Sequence, residues 1–312
     1  MIKYFDFEKE IEKIDDQIKN LDVSEVIYNK KLDKLNFKKK NLFLKIYSNL
    51  NPWQKVQISR HSERPHTLDY VNKIFDDVLF LHGDKKYADD SAIIGGFAKI
   101  NNQSIIFIGT EKGNTMESRI KHNFGMAKPE GYRKAQRLVL LAERFKLPVI
   151  TFVDTAGAFP GKDAEERGQS ESIASSILVF LKAKTPTISI IIGEGGSGGA
   201  IGIATSDRVL MLEHSTYSVI SPEGCASILW RSTSFSQEAA NTLKLTSYDC
   251  KKFNIIDNII PELPGGAHRY PDEQATIIQN KIIENLNELQ NMLVDDLVKI
   301  RKEKYINITS NI

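Results

Sequence analysis

Within Gly193-Glu194-Gly195-Gly196-Ser197-Gly198-Gly199-Ala200, five glycines and a serine follow directly on the apolar run Thr187-Ile188-Ser189-Ile190-Ile191-Ile192. A β-branched run feeding a glycine turn reads as a strand, and the small residues Ala200, Gly202 and Ala204 continue it as a short helix. The first amides of such a helix have no intrahelical acceptor and face whatever lies in front of them, a setting suited to a developing negative charge.

Three chemistries fit this octapeptide. Gly193-x-Gly195-x-x-Gly198 has the spacing of a dinucleotide fingerprint, with Glu213 placed about 20 residues on as the ribose-binding acid. Against it, Asp207-Arg208 interrupts the chain before the next apolar run, Val209-Leu210-Met211-Leu212, leaving a helix short for a crossover. Gly195-x-Ser197-x-Gly199 has the nucleophile-elbow pattern, with Asp257 and His268 following in the chain order of a hydrolase triad. The third chemistry is an oxyanion hole of backbone amides, in which any Cβ would hold a substrate carbonyl away from the N–H groups. Spacing alone does not choose among them.

A second loop belongs with the first. Leu147-Pro148-Val149-Ile150-Thr151-Phe152-Val153 reads as a buried strand ending in Asp154-Thr155-Ala156-Gly157-Ala158-Phe159-Pro160-Gly161, where two glycines and a proline let the backbone approach a ligand. Gly157, Ala158 and Gly161 there, with Gly195, Gly196 and Ser197, are the candidate substrate-binding positions; Gly198 and Gly199 are the candidate catalytic amides. Arg119, Lys121, Lys128, Arg133, Lys134 and Arg137 face only the acid Glu130 in that stretch, which fits a solvated surface or a phosphate or acidic-partner contact. Glu223 sits in a strand-to-helix turn, where a carboxylate near free amides is more often structural than catalytic. Cys225 has no neighbouring base in sequence and reads as a buried, inert thiol.

The elements that position these loops follow from periodicity. Ile11, Ile14, Ile18 and Leu21, then Leu32, Leu35, Leu42 and Ile46, predict two helices that must pack on the main body or on another chain, closed by Asn51-Pro52. Leu68, Val71, Ile74, Phe75, Val78 and Leu79 predict one helix over 67–83. A hairpin over 92–109 turns at Asn101-Asn102, and a polar loop follows from Thr110 to Lys128. Pro129-Glu130 opens a helix burying Ala135, Leu138, Leu141, Ala142 and Phe145. Another helix spans about Ala164 to Lys182, and a last one about Asp272 to Lys304 carries Ile278, Ile282, Leu286, Leu289, Leu293, Leu297 and Ile300. The alternation of strands and helices predicts a parallel sheet with right-handed crossovers.

Composition sets the class. The chain has 312 residues with 41% hydrophobic and 26% charged, and a formal net charge of +2, far from the basic excess of a generic nucleic-acid binder. The two cysteines, Cys225 and Cys250, are too few for a four-cysteine zinc site or a disulfide framework and point to a reducing compartment. Acids in the first ten residues stand where a signal peptide carries apolar residues, and no apolar stretch reaches the roughly 18 residues of a membrane span. A cytoplasmic protein with no membrane attachment is expected.

Read together, these loops resemble the α subunit of the bacterial acetyl-CoA carboxylase carboxyltransferase. The matching stretches are Leu68-Asp69-Tyr70, Tyr87-Ala88-Asp89-Asp90, Asn123-Phe124-Gly125-Met126, Pro129-Glu130-Gly131-Tyr132-Arg133-Lys134-Ala135, and Ala164-Glu165-Glu166-Arg167-Gly168-Gln169-Ser170-Glu171. The octapeptide, the long run from Ser215 to Trp230, Ile259-Ile260-Pro261-Glu262 and Gly265-Gly266-Ala267-His268-Arg269 complete the series. Where that family usually has Pro and Tyr in the loop after the Asp154 strand, Ala156 and Phe159 stand here, so the glycines persist but a tyrosine hydroxyl does not.

The resemblance implies an α/β fold of the crotonase-like (ClpP/crotonase) class, a superhelix of ββα units with N- and C-terminal helical extensions. It divides the chain into an N-terminal helical arm over 1–50, a carboxyltransferase domain over 51–271 and a C-terminal amphipathic helix over 272–312. It implies half of a site that transfers a carboxyl group from carboxybiotin, presented on a separate biotin carboxyl carrier protein, to acetyl-CoA, giving malonyl-CoA for fatty acid synthesis. A β subunit carrying a zinc ribbon would supply the other half in an α2β2 assembly with biotin carboxylase nearby, and this chain would hold no metal. Gly198 and Gly199 would face the charge left on the ureido oxygen when CO2 departs, and the biotin nitrogen would remove the acetyl proton, so that no side-chain base is required. The non-enzyme alternative is a scaffold whose glycine loop is structural.

Overall fold

The structure, a computed structural model, describes residues 3–23, 27–308 and 310. Helices α1 (Lys9–Lys19) and α2 (Tyr28–Tyr47) form the N-terminal arm, and Ile11, Phe43 and Tyr47 bury their stripe on Ile58 of α3 (Pro52–Ser59). Buried Glu8 accepts hydrogen bonds from the Tyr47 hydroxyl and the Arg269 guanidinium, each at 2.9 Å, which ties the arm to the far end of the chain. Asn51 does more than end the arm: its side chain caps α3 by accepting from the Gln54 amide while Gln54 returns a bond to the Asn51 amide.

The predicted helix over 67–83 is two elements, α4 (Thr67–Ile74) and strand β1 (Asp76–Phe80). Spacing misleads here because residues 75–80 also satisfy period two: Val78 and Phe80 pack on the core while Leu79 is 59% exposed. β1 pairs antiparallel with β2 (Ile93–Ile100), which pairs with β3 (Gln103–Thr110) through the expected turn; Asn101 and Asn102 adopt φ of +46° and +62°. The region 110–128 is not wholly loop: Thr115 caps a short α5 (Met116–Lys121). Helix α6 (Pro129–Phe145) begins at its proline and buries Ala135, Leu138 and Ala142, but Phe145 at its end is 61% exposed and touches Phe97 edge-on.

From β3 the sheet is parallel. Its order is β1-β2-β3-β4-β5-β6-β8, with β7 beside the end of β5. The remaining strands are β4 (Val149–Thr155), β5 (Thr187–Gly196), β6 (Arg208–Leu212), β7 (Thr216–Ser218) and β8 (Asn258–Ile260). The helix predicted from Ala164 to Lys182 is broken at Gly168, φ +80°, into α7 (Lys162–Glu166) and α8 (Gln169–Lys182). Helix α9 (Ser197–Ala204) follows β5, and α10 (Pro222–Trp230), α11 (Ser236–Leu243) and α12 (Ser247–Lys252) precede β8.

Alternate residues of the buried strands feed two cores. Phe107, Ile150, Phe152, Ile188, Ile190 and Leu210 face α4 and α13 (Pro271–Gln290), while Ile106, Ile108, Val149, Val153, Ile191 and Met211 face α6, α8 and α9. Covered on both faces, these strands read in sequence as unbroken apolar runs. The long C-terminal helix is also two, α13 and α14 (Val294–Ile306), with Leu293 extended between them and 75% exposed, and Ile300 44% exposed. The break lets α14 turn back so that Arg301 reaches the foot of β5 and β6.

Candidate functional site

β4 and β5 run side by side and parallel, so both loops leave the sheet from the same edge; their last paired residues are Thr155 and Gly195. The loop after β4 is held from within. Thr155 Oγ1 donates to the Gly157 carbonyl and accepts from the Gly157 amide, and Gln169 Nε2 donates to the carbonyls of Ala127 and Phe159. Ala156 is exposed, and Gly157 and Ala158 are half-buried. Gly161 leads into α7 with the Phe159 ring folded over it.

The turn after β5 fits against that loop without side chains. An added Cβ at Gly196 would stand 2.2 Å from the Ala156 carbonyl oxygen, and one at Gly199 would stand 2.5 Å from the Gly157 carbonyl carbon. Gly198 is half-buried, with Ile173 Cδ1 at 3.5 Å as the nearest neighbour of such a Cβ. Gly195 lies under the Tyr217 ring. The amides of Ser197, Gly198 and Gly199 are first-turn donors of α9, and no side chain caps them. The structure therefore brings all eight candidate positions to two touching backbone segments at one sheet edge.

The competing readings separate here. Ser197 is exposed with φ +51°, as an elbow serine would be, but neither nitrogen of buried His268 has a hydrogen-bond partner among the described residues. His268 is stacked on His61 at 4.0 Å, and burial next to His61 and Arg269 pushes its pKa down to about 2. Asp257 instead accepts from the Val209 amide and Lys304. Among the described residues Ser197, His268 and Asp257 form no hydrogen-bonded relay. Glu213 accepts from the Tyr248 hydroxyl and the Glu262 amide, which removes it as a ribose acid. Cys225 is buried.

Charged side chains that sequence spacing did not connect surround the turn. Lys112, just beyond β3, bridges Asp154 and Glu194 at 2.8 Å each; Arg60 bridges Glu194 and Glu223 at 2.6 Å each. Asp154 Oδ1 also accepts the Glu194 amide at 2.9 Å, fixing where the glycine turn leaves the sheet. Burial opposes the charge on Asp154, but Lys112 and the His66 hydrogen bond outweigh it and hold the carboxyl well below the usual range. Lys112, also opposed by burial, is held above its ordinary value by Asp154 and Glu194. Beneath them, buried Arg64 donates to the Ile192 carbonyl at 2.8 Å and forks onto Glu262. Glu223 is thus an ion-pair partner of Arg60. Half of the basic stretch is likewise spent inside the fold: Arg133 pairs with Asp84, buried Lys134 with Asp89, and Arg137 donates to the Gly83 and His82 carbonyls. Among the described residues no group of three or more His, Cys, Asp or Glu is placed to hold a metal ion, and no helix is long and apolar enough to cross a membrane.

Comparison with known proteins gives a consistent result. The family model for acetyl co-enzyme A carboxylase carboxyltransferase-like proteins matches residues 4–309. The acetyl-coenzyme A carboxylase carboxyl transferase subunit alpha of Rhodospirillum centenum is 50% identical over 309 residues, covering 98% of both chains. That of Agrobacterium fabrum is 48% identical over the whole of both. Among solved structures, transcarboxylase 12S superposes with a TM-score of 0.53 at 20% identity over 67% of this chain, which spans 40% of that chain. A Pseudomonas malonate decarboxylase hetero-tetramer gives 0.55 at 14% identity, over 69% of this chain and 86% of that one. The fold is α/β and crotonase-like.

Proposed function

This chain belongs to the α-subunit family of acetyl-CoA carboxylase carboxyltransferases, and on that premise we propose that it forms the half-site receiving carboxybiotin while a β subunit holds acetyl-CoA. The supporting observation is the pair of uncapped amides at Gly198 and Gly199, on a turn pressed so closely to the Gly157-Ala158 backbone that no side chain intervenes. Gly157, Ala158, Gly161, Gly195, Gly196 and Ser197 shape the surrounding walls. Carboxybiotin, carried in on a separate carrier protein, supplies a transferable CO2 unit to the acetyl carbon, giving malonyl-CoA. The role of this chain is to hold the ureido oxygen as negative charge gathers on it: two converging amides stabilise that charge where a hydroxyl or a cation would require reorganisation. Water is excluded when the second subunit closes the open side. The partner brings the zinc ribbon, the assembly is α2β2 with biotin carboxylase and its carrier in attendance, and the compartment is the cytoplasm. In this reading 1–50 is an arm, 51–271 the catalytic body and 272–312 a C-terminal helical extension.

Malonyl-CoA synthesis, assayed with each subunit alone and with both together, tests the proposal. Activity is expected only with both, and Ser197→Ala in the complex is expected to stay within about twofold of wild type, because the serine supplies no nucleophile. Tight association without activity would leave the scaffold reading. A loss of roughly 10⁴-fold in Ser197→Ala would restore the nucleophile.

A further inference from the structure

Gln169 is the first residue of α8, directly after the break at Gly168, whose φ of +80° lies in the left-handed region that glycine accepts without strain. Past that break its amide side chain points inward, and only 3% of the residue is exposed. Nε2 donates to the Ala127 carbonyl at 2.8 Å and to the Phe159 carbonyl at 2.9 Å, while the Phe159 amide donates to that same Ala127 carbonyl at 2.9 Å. Three segments of chain are sewn together at one point. The two acceptors also fix which way the amide faces, since a flipped side chain would set oxygen against oxygen. Oε1 is left buried with no partner among the described residues, so the fold gives up one acceptor to keep both donations. Among the described residues, Gln169 is the one side chain from outside the loop after β4 that hydrogen-bonds residues 156–161.

The face that carries Gln169 continues onto the glycine helix. Residues four and seven further along α8 lie on the same side. Ile173 stands beside Gly198 and Gly202, its nearest atoms 3.5 and 3.7 Å from where a Cβ on each would be, and Ser176 Oγ donates to the Gly202 carbonyl. One helix therefore grips both walls of the site: the loop through Gln169, and α9 through Ile173 and Ser176. Over the roughly 10 Å that these seven residues span, a packed helix acts as a stiff ruler. Gly199 leaves no slack in the fit, since an added Cβ would meet the Gly157 carbonyl carbon at 2.5 Å. Amides that stabilise a developing charge do so only while they stay aimed at the atom that acquires it.

We propose that Gln169 is a positioning residue for carboxyl transfer: by holding the loop after β4 against α9, it keeps the amides of Gly198 and Gly199 aimed at the ureido oxygen. It touches no substrate and moves no proton. The inference rests on the half-site reading above.

The test is a double-mutant cycle in the complex with the β subunit, scored as malonyl-CoA synthesis. One arm is Gln169→Met, which keeps side-chain length and helix preference but has no hydrogen to give. The other replaces glycine 198 by glycolic acid, which deletes its N–H. Gln169→Met alone is expected to lower kcat about 10–10²-fold, the scale of a misplaced site, with KM for acetyl-CoA within about twofold of wild type because the partner holds that substrate. In the ester background the same substitution is expected to cost no more than about threefold, since the amide that Gln169 helps to aim is already gone. A merely structural role would lower both backgrounds by the same factor; that result, or wild-type kcat in Gln169→Met, overturns the proposal. If circular dichroism and sedimentation show that Gln169→Met does not fold or assemble, Gln169→Glu carries the same cycle, because its carboxyl gives at most one hydrogen to the two carbonyls. Failure of both variants to fold would make Gln169 a structural residue and also overturn the proposal. An ester at 198 that leaves kcat unchanged removes the half-site reading itself; a fall in kcat there, with equal losses across the cycle, removes only the role of Gln169.

Discussion

Glycines 198 and 199 are neighbours in sequence with opposite tolerances. A Cβ at 199 meets backbone atoms of Gly157 and Ala158 at 2.5 and 2.6 Å, which cannot rotate away, whereas at 198 it meets only Ile173 side-chain atoms at 3.5 Å or more. Gly199→Ala is therefore expected to cost about 1–3 kcal/mol in chemical denaturation, while Gly198→Ala, in the first turn of a helix, is expected to be neutral or slightly stabilising. Equal losses at both positions would mean that the loop after β4 does not rest on α9 as described. The glycine run was legible in sequence, and at Gly196 and Gly199 its reason is contact with the backbone of the loop after β4, which leaves no room for a Cβ. His66, Lys112 and Arg60 were not: His66 meets Asp154 from 88 residues away and Arg60 meets Glu194 from 134, while Lys112 meets Asp154 and Glu194 from 42 and 82. Only the parallel pairing of β4 with β5 brings them to one edge, and nothing in local periodicity announces a salt bridge.

Where two periodicities coincide, as at 75–80, the element scale was misread. The same holds at the C-terminus, where a three-and-four stripe runs through both helices although Val294-Asp295-Asp296, acids at a helix start, marks a second beginning. What holds α14 in place is polar. Arg301, essentially fully buried, forks onto Asp207 and donates to the carbonyls of Phe180, Ala183 and Thr185, while Asp207 also takes the Thr187 amide and hydroxyl at the foot of β5. Arg301→Met is expected to destabilise the fold by about 3–5 kcal/mol, read by urea denaturation, because it strands a buried carboxylate with three carbonyls. A loss below about 1 kcal/mol would show that water or a neighbouring cation replaces the guanidinium. Hydrophobic pattern found helix here but ran α13 and α14 together, and the anchor was invisible to it, since an arginine beside an amphipathic stripe reads as surface.

At the scale of the whole molecule, the sheet carries its two cores away from the loop edge and leaves that edge polar, glycine-rich and open. Long motifs made the family legible over about residues 50 to 270, and the buried strands announced a parallel sheet; the charged lattice behind the glycine turn came only from the fold. That lattice fixes the turn from beneath through Arg64 at Ile192 and through Asp154 at Glu194, so the first amides of α9 are set before any ligand arrives. Preorganised donors of this kind act without reorganisation as charge develops. The most direct measurement replaces glycine 198 by glycolic acid, an amide-to-ester change that deletes one N–H and alters no side chain, in the complex with the β subunit. Carboxyl transfer to acetyl-CoA is expected to fall about 10²–10³-fold in kcat with an unchanged circular dichroism spectrum; transfer at the wild-type rate would contradict the assignment of the chemistry to the backbone.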